Sequence, residues 1–235
     1  MSYFIDRLKH KSDTIKDPLF DNPYSYGSIQ IDKEKCDKCG LCIDSCISKA
    51  LKLEENELKV DNRKCIFCKK CISSCKNTAL QMNNDCKLSS IDEAGEILKR
   101  KIYDKFKRSL VLRSVDTGSC NGCMLELSAT QNTFYDLSRF GINVAASPRH
   151  SDGIIVTGPV TLNMKEALMK TYYAMPKPRF VIGLGSCACG GGIFQDCYAT
   201  TEELDKILPV DLYMPGCPPS PQAIIHGLLK LMGRI

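Results

Sequence analysis

Cys36, Cys39, Cys42 and Cys46 recur 29 residues later as Cys65, Cys68, Cys71 and Cys75. The register holds beyond the thiols: Asp32 falls on Asp61, Ile43 on Ile72, Ser45 on Ser74, and Ala50-Leu51 on Ala79-Leu80. Two copies of one small module are implied, each built around Cys-x2-Cys-x2-Cys-x3-Cys. Three thiolates so closely spaced can cap three corners of a 4Fe-4S cubane, while the fourth, carried onward by a helical turn, reaches the cubane held by the other copy. The expected groups are therefore crossed: Cys36, Cys39 and Cys42 with Cys75, and Cys65, Cys68 and Cys71 with Cys46. A pair of structural zinc sites would instead call for two separated Cys-x2-Cys pairs, without a third cysteine three residues on.

Within each copy a short strand (Ile29 to Asp32, then Leu58 to Asp61) precedes the cysteine loop. A short helix and a second strand (Ala50 to Leu53, then Ala79 to Met82) follow it, so two hairpins packed around clusters are expected.

The whole chain holds fifteen cysteines among 235 residues, with 43% hydrophobic and 25% charged residues, an ordinary globular balance that excludes intrinsic disorder. No stretch reaches eighteen uninterrupted apolar residues, and Met1-Ser2-Tyr3-Phe4-Ile5-Asp6-Arg7 lacks the features of an export signal. A cytoplasmic location is expected, where thiols stay reduced, so metal rather than disulfide is the reason for so many cysteines. The net charge of +5 is thinly spread: residues 109–235 balance at ten basic and ten acidic, and only 87–108 are clearly basic, at seven against four. Clusters with four thiolates carry roughly −2 each when oxidised, so three would cancel the excess. Charge therefore gives no support to nucleic-acid binding.

Residues 1–28, with Pro18 and Pro23, read as an arm laid against a partner or as a frayed terminus, and 29–86 as the two-cluster unit. From Ile91 to Arg108, apolar Ile91, Ala94, Ile97, Leu98, Ile102 and Phe106 follow helical spacing, so 87–108 are expected to hold a connecting helix. Its Lys- and Arg-rich face reads as solvated. From Ser109 onward β-type and helical runs alternate: Leu110 to Val115, Cys123 to Phe140, Ile142 to Ala146, Gly153 to Thr157, Leu162 to Tyr173, Phe180 to Leu184, Val210 to Met214 and Ser220 to Met232. Such alternation makes a parallel sheet covered on both faces, with its functional groups at the strand ends.

Cysteines stand at three of those strand ends. Gly118-Ser-Cys-Asn-Gly-Cys123 opens a helix, Cys187 lies in Gly183-Leu-Gly-Ser-Cys-Ala-Cys-Gly-Gly-Gly192, and Cys217 in Pro215-Gly-Cys-Pro-Pro219. Cys120, Cys123, Cys187 and Cys217 make a third candidate cubane site. Gly183 to Ala188 also satisfies the G-x-G-x-x-G/A dinucleotide pattern, but a ligand at Cys187 would occupy the loop that must approach pyrophosphate. Twelve ligands leave Cys86, Cys189 and Cys197 as small buried residues or free thiols, with Cys189 the one alternative ligand.

Residues 29 to 86 resemble the bacterial two-cluster ferredoxins, although Ile47 and Lys76 stand where that family usually has proline. Residues 109 to 235, through these cysteine motifs with Ser147-Pro148-Arg149-His150 and Met175-Pro-Lys-Pro-Arg179, resemble the small subunit of membrane-bound nickel-iron hydrogenases of the formate hydrogenlyase type. They resemble almost as closely the homologous subunit of respiratory complex I, which has two adjacent cysteines where Cys120 and Cys123 are spaced; His150 also looks like the hydrogenase branch.

The resemblance implies an α/β chain, a flavodoxin-like parallel sheet preceded by a small α+β ferredoxin-like unit, holding three 4Fe-4S clusters. It implies an electron-transfer subunit of an oxidoreductase, with no substrate chemistry of its own. The expected partners are a large subunit carrying the nickel-iron site, membrane-arm and further electron-transfer subunits, and a low-potential electron donor or acceptor. The chain would sit peripherally on the cytoplasmic face of the membrane. Glu126, one helical turn after Cys123, is by the same resemblance a candidate proton relay, the alternative being an interface carboxylate. A complex I-like quinone-reducing module and a free ferredoxin-type carrier are the competing readings.

Overall fold

A computed structural model describes residues 13–20, 25–91 and 109–235. Glu55 and Asn56 both take positive φ, 50° and 64°, the backbone pattern of a tight two-residue hairpin turn. They join β2 (Leu51–Glu54) to β3 (Glu57–Val60) in an antiparallel pair. The remaining strands of the repeat, β1 (Ile29–Ile31) and β4 (Leu80–Met82), pair antiparallel with each other.

The two hairpins expected within the copies are therefore replaced by pairings between the copies. The reason is the length of the connection. Inside a copy the cysteine loop and its helix separate the strands, whereas across the boundary two residues suffice. The helices α1 (Leu41–Asp44) and α2 (Lys70–Ser74) pack together between the two ribbons. Beneath them lies a core in which Cys42, Cys65 and Cys71 sit among Ile29, Ala50, Leu51 and Leu80.

In the second half, β6 (Leu110–Asp116), β7 (Ile142–Val144), β8 (Gly153–Thr157), β9 (Phe180–Leu184) and β10 (Leu212–Met214) are parallel. Their spatial order, β7-β6-β8-β9-β10, is the second-first-third-fourth-fifth order of flavodoxin-like sheets. A short strand, β5 (Ser90–Ile91), adds to β10 as an antiparallel edge. Ile91, expected to open the connecting helix, is thus a strand residue; the rest of that helix, 92–108, lies outside the described residues.

Every residue of β8 and β9 is buried, as strands covered on both faces must be. One face packs Leu112, Ile155, Ile182 and Met214 against α3 (Gly122–Ala129) and α7 (Pro221–Leu231). The other packs Ile154, Val156, Val181 and Tyr213 against α4 (Leu162–Ala174) and α6 (Leu204–Ile207).

The helix expected from Cys123 to Phe140 stops at Ala129. The Thr130 hydroxyl turns back to the Leu127 carbonyl, and the Asn132 side chain accepts from the Phe134 and Tyr135 N–H groups, competing with helical bonding. A separate 3-10 turn, Leu137–Phe140, follows. Part of the expected arm is described. Residues 13–20 lie on this chain itself, with the Ile15 N–H donating to the Phe134 carbonyl and Leu19 packed on the sheet core. Among the described residues, no helix is long and apolar enough to cross a membrane.

The sheet leaves little slack where Gly153 faces Phe180, since a Cβ on Gly153 would stand 2.3 Å from the ring. Phe180 is 1% exposed, so Phe180→Ala should cost about 3–5 kcal/mol of stability, read from the urea midpoint of the anaerobically prepared protein.

Candidate metal centres

The repeat is conformational as well as sequential. Lys38 and Phe67, Gly40 and Lys69, and Lys49 and Thr78 are equivalent pairs, and all six take positive φ. Backbone that alternates between right- and left-handed turns presents successive N–H groups inward, the concavity that suits anionic sulfur. Here the Phe67 N–H donates to Cys65 Sγ at 3.4 Å, Ala50 N–H to Cys46 Sγ at 3.3 Å, and Ala79 N–H to Cys75 Sγ at 3.3 Å. Where Ile47 and Lys76 replace proline, these N–H to sulfur contacts and the Lys49 N–H bond to the Cys46 carbonyl order the turn.

The fours are crossed. Cys36, Cys39, Cys42 and Cys75 line one cavity, walled by Leu53, Leu58 and Leu80. Cys46, Cys65, Cys68 and Cys71 line another, walled by Ile29, Leu51 and Val60. Burial pushes the Cys65 thiol up to about 11, and neighbouring Cys71, Cys46 and Cys68 add to the rise. Cys42 and Cys71 are raised chiefly by burial as well.

The third group forms at the carboxyl edge of the six-stranded sheet. After β6, the Asp116 carboxylate accepts from the Ser119 N–H at 2.7 Å, the Gly118 N–H at 2.9 Å and the Ser119 hydroxyl at 2.9 Å. Burial alone would raise Asp116, but these donors outweigh it and hold the carboxyl below its usual range. The pinned turn delivers Cys120 and then, through Asn121 at φ 70°, starts α3 at Gly122 with Cys123 in its first turn. Cys187 lies in the short helix α5 (Ser186–Gly190) after β9, and Cys217 follows β10.

Space is tight around the thiols. A Cβ on Gly185, itself at φ 89°, would stand 2.3 Å from Cys123 Sγ, and one on Gly192 would stand 3.1 Å from Cys187 Sγ. Burial pushes Cys123 up to about 12, with Cys187, Cys217 and Cys120 adding repulsion. Cys187 is likewise raised to about 11 by burial, then by Cys217 and Cys120. Cys120, Cys187 and Cys217 all lie near enough to raise Cys123, which is buried, while Cys187 is half-buried and Cys120 and Cys217 are exposed.

Among the described residues, no three His, Cys, Asp or Glu side chains converge tightly enough to hold one metal ion. The donor set suits a polynuclear group instead: four thiols around each space, backbone N–H groups turned toward sulfur, and glycines where a side chain would intrude. Ligation deprotonates such thiols, so metal reverses the cost of burying them.

The other candidates fall elsewhere. Cys189 is buried in the core, and its thiol donates to the Gly183 carbonyl at 3.2 Å. Cys197 borders a cavity that Cys187 also lines, and Cys86 borders another together with Cys217 and Phe67. Half-buried Glu126 is raised by burial, and Tyr135 lies near enough to feel its charge. His150 ends an exposed 3-10 turn, Pro148–His150. Glu202 and Glu203, near the acidic position of the dinucleotide pattern, border the Cys187 cavity, and Glu203 is paired with Lys64 at 3.1 Å. Two groups escaped the sequence reading: the Asp116 carboxylate and the Ser186 hydroxyl, both short polar side chains whose partners are visible only in three dimensions.

Residues 120–231 match the family described as NADH ubiquinone oxidoreductase, 20 Kd subunit, and residues 28–85 match the 4Fe-4S dicluster domain. The chain is 42% identical to formate hydrogenlyase subunit 7 of Escherichia coli over 61% of its own length, and that stretch spans 56% of the relative. It is 44% identical to the probable membrane-bound hydrogenase subunit mbhJ of Pyrococcus furiosus, over 52% of this chain and 72% of that subunit. It is also 49% identical to an NADH-quinone oxidoreductase subunit of Geotalea uraniireducens, over 48% of this chain and 66% of the relative. 4Fe-4S clusters are accordingly the cofactor class of this chain. The chain belongs to the NADH ubiquinone oxidoreductase 20 Kd subunit family and carries a 4Fe-4S dicluster domain ahead of the family's own sheet.

Proposed function

We propose that the chain is the iron–sulfur electron-transfer subunit of a multisubunit, membrane-associated nickel-iron hydrogenase. In this reading it passes electrons between the nickel-iron site of a large subunit and a low-potential redox partner. The observation that carries the reading is the set of three separate groups of four thiols, two crossed within the repeat and one at the carboxyl edge of the sheet. Three 4Fe-4S clusters would be held by Cys36, Cys39, Cys42 and Cys75; by Cys65, Cys68, Cys71 and Cys46; and by Cys120, Cys123, Cys187 and Cys217. Bound clusters of this kind supply one-electron redox chemistry, and substrate chemistry belongs to a cofactor elsewhere. The chain divides accordingly into an arm (1–28), a two-cluster unit (29–86), a connector (87–108) and the sheet unit (109–235).

This chain's own residues set the order of the sites. The Cys65 carbonyl accepts from Ser186, beside Cys187, and Cys68 lies close enough to act on Cys217. The second group therefore adjoins the third, and the first is the outer one.

Exposed apolar side chains follow the carboxyl ends of the strands, with Leu125 in α3 after β6, Leu162 at the start of α4 after β8, and Ile193 and Tyr198 after β9; Tyr198 is 94% exposed. An apolar rim beside exposed Cys120 suits burial by a large partner subunit. Such a complex would lie at the cytoplasmic face of the membrane, held there by its membrane-arm subunits.

The complex I-like reading is the alternative, because relatives of both kinds align at similar identity. The hydrogenase reading is favoured by Cys120 and Cys123 being spaced rather than adjacent.

Purified anaerobically with its partners, the complex should give about twelve irons attributable to this chain and roughly one nickel per copy. Twelve irons with no nickel and a co-purified large subunit would move the assignment to the quinone branch; a lone 26 kDa species with full iron would make it a free carrier. Cys46→Ala should remove the iron held with Cys65, Cys68 and Cys71 while sparing the Cys36 group, which separates crossed from uncrossed ligation by spectroscopic counting. Glu126→Gln should lower hydrogen turnover at least ~10-fold at unchanged iron content if Glu126 carries protons; unchanged turnover would leave it as an interface carboxylate.

A further inference from the structure

The Arg63-Lys64-Cys65 segment of the repeat unit makes several contacts with the sheet unit. Lys64 pairs with Glu203 at 3.1 Å, and the Arg63 guanidinium lies 5.2 Å from the centre of the Tyr213 ring. Gly190 lets the backbone close in, since a Cβ there would meet Lys64 Cγ at 2.7 Å. The innermost contact is the Ser186 hydroxyl. Ser186 is 1% exposed, and its Oγ lies 2.6 Å from the Cys65 carbonyl oxygen and 3.1 Å from that of Gly216. The Ser186 N–H also donates to the Gly216 carbonyl, at 2.8 Å.

This hydroxyl therefore touches three segments that matter. It precedes Cys187 directly, reaches the residue before Cys217, and grips the peptide of Cys65. Lys64 and Arg63 act from the half-exposed rim, where an ion pair contributes little. Ser186 acts inside, where a lost donor leaves a buried carbonyl short of a hydrogen bond.

We propose that Ser186 is the positioning residue that holds the second cysteine group against the third and so governs electron exchange between them. The proposal rests on the three-cluster reading above. Ser186 binds no iron in it; it fixes the distance and orientation of two ligand-bearing loops, on which exchange between the groups depends steeply.

The test uses the full chain, anaerobically purified with its partners, as wild type, Ser186→Ala and Ser186→Thr. Iron is counted, and the dithionite-reduced protein is examined by electron paramagnetic resonance for spin–spin broadening between neighbouring clusters. Ser186→Ala should keep the wild-type iron content and lose broadening between the second and third groups, and Ser186→Thr, which keeps the hydroxyl, should restore it. Full iron with wild-type broadening in Ser186→Ala overturns the proposal alone. If Ser186→Ala loses iron, Ser186→Thr decides: recovery of iron and broadening supports the role of the hydroxyl, and a threonine variant as depleted as alanine overturns it. A wild-type protein with iron for fewer than three clusters overturns the parent reading instead, whatever the variants do.

Discussion

Buried thiols placed within reach of one another are the constraint on which the rest of the structure depends. Desolvation and mutual repulsion raise Cys65 and Cys187 to about 11 and Cys123 to about 12, above the ordinary thiol value of 9.0. Without metal these groups stay neutral thiols, and a bound cation would lower them and hold them as thiolates. In the repeat unit this dependence reaches the core itself, where Cys42, Cys65 and Cys71 occupy positions that a larger domain would fill with aliphatic side chains. The strands there are three or four residues long. A unit of this size is short of apolar surface, and ligation of 4Fe-4S clusters would supply stability to it.

The sheet unit meets the same constraint differently. Its core is mainly aliphatic, two apolar layers flanking β8 and β9 in which Cys123 and Cys189 are the only cysteines among the described residues. Cys120, Cys187 and Cys217 stand outside it at the carboxyl edge of the sheet, on the segments after β6, β9 and β10, and the crevice between β6 and β8 on that edge is where strand order reverses. In other sheets of this order that crevice takes a nucleotide or a flavin. Here Gly185 and Gly192 clear the space, Asp116 pins the first loop, and four thiols line it. A rigid scaffold therefore presents the third group, whereas the first two groups are part of their own scaffold.

Joining these two solutions gives the chain its direction. The crossed fourth cysteine makes the two repeat sites into one body, and the Arg63-Lys64-Cys65 segment seats that body on the loops carrying Cys187 and Cys217. The buried contact lies on the Cys65 side of the repeat, whereas the other copy reaches the sheet unit through the exposed Lys49–Asp196 pair, so the two near-equivalent copies become unequivalent.

Much of this was legible in the residues alone. Cysteine spacings of three, three and four residues and a 29-residue period specify which thiols can meet, because a helical turn after the third cysteine throws the fourth onward, and the cavities are lined by those fours. Gly153 to Thr157 and Phe180 to Leu184 were readable to the residue, since central strands of a parallel sheet are continuous apolar runs. Strand partnership was not. Glu55-Asn56 lacks the glycine that usually marks a two-residue turn, so pairing between copies emerged only from the backbone. The edge strand at Ser90–Ile91 and the seat of residues 13–20 were likewise decided by neighbours far along the chain, whereas the end of α3 at Ala129 was set locally by Thr130 and Asn132. Ser186 is the sharpest case. A serine beside a cysteine carries no signal, and its partner at Cys65 lies 121 residues away. Local spacing determines which groups can bind metal, because ligand geometry is short-range. Only the packed structure determines how those groups are placed relative to one another, because that depends on buried contacts between segments with no proximity in sequence.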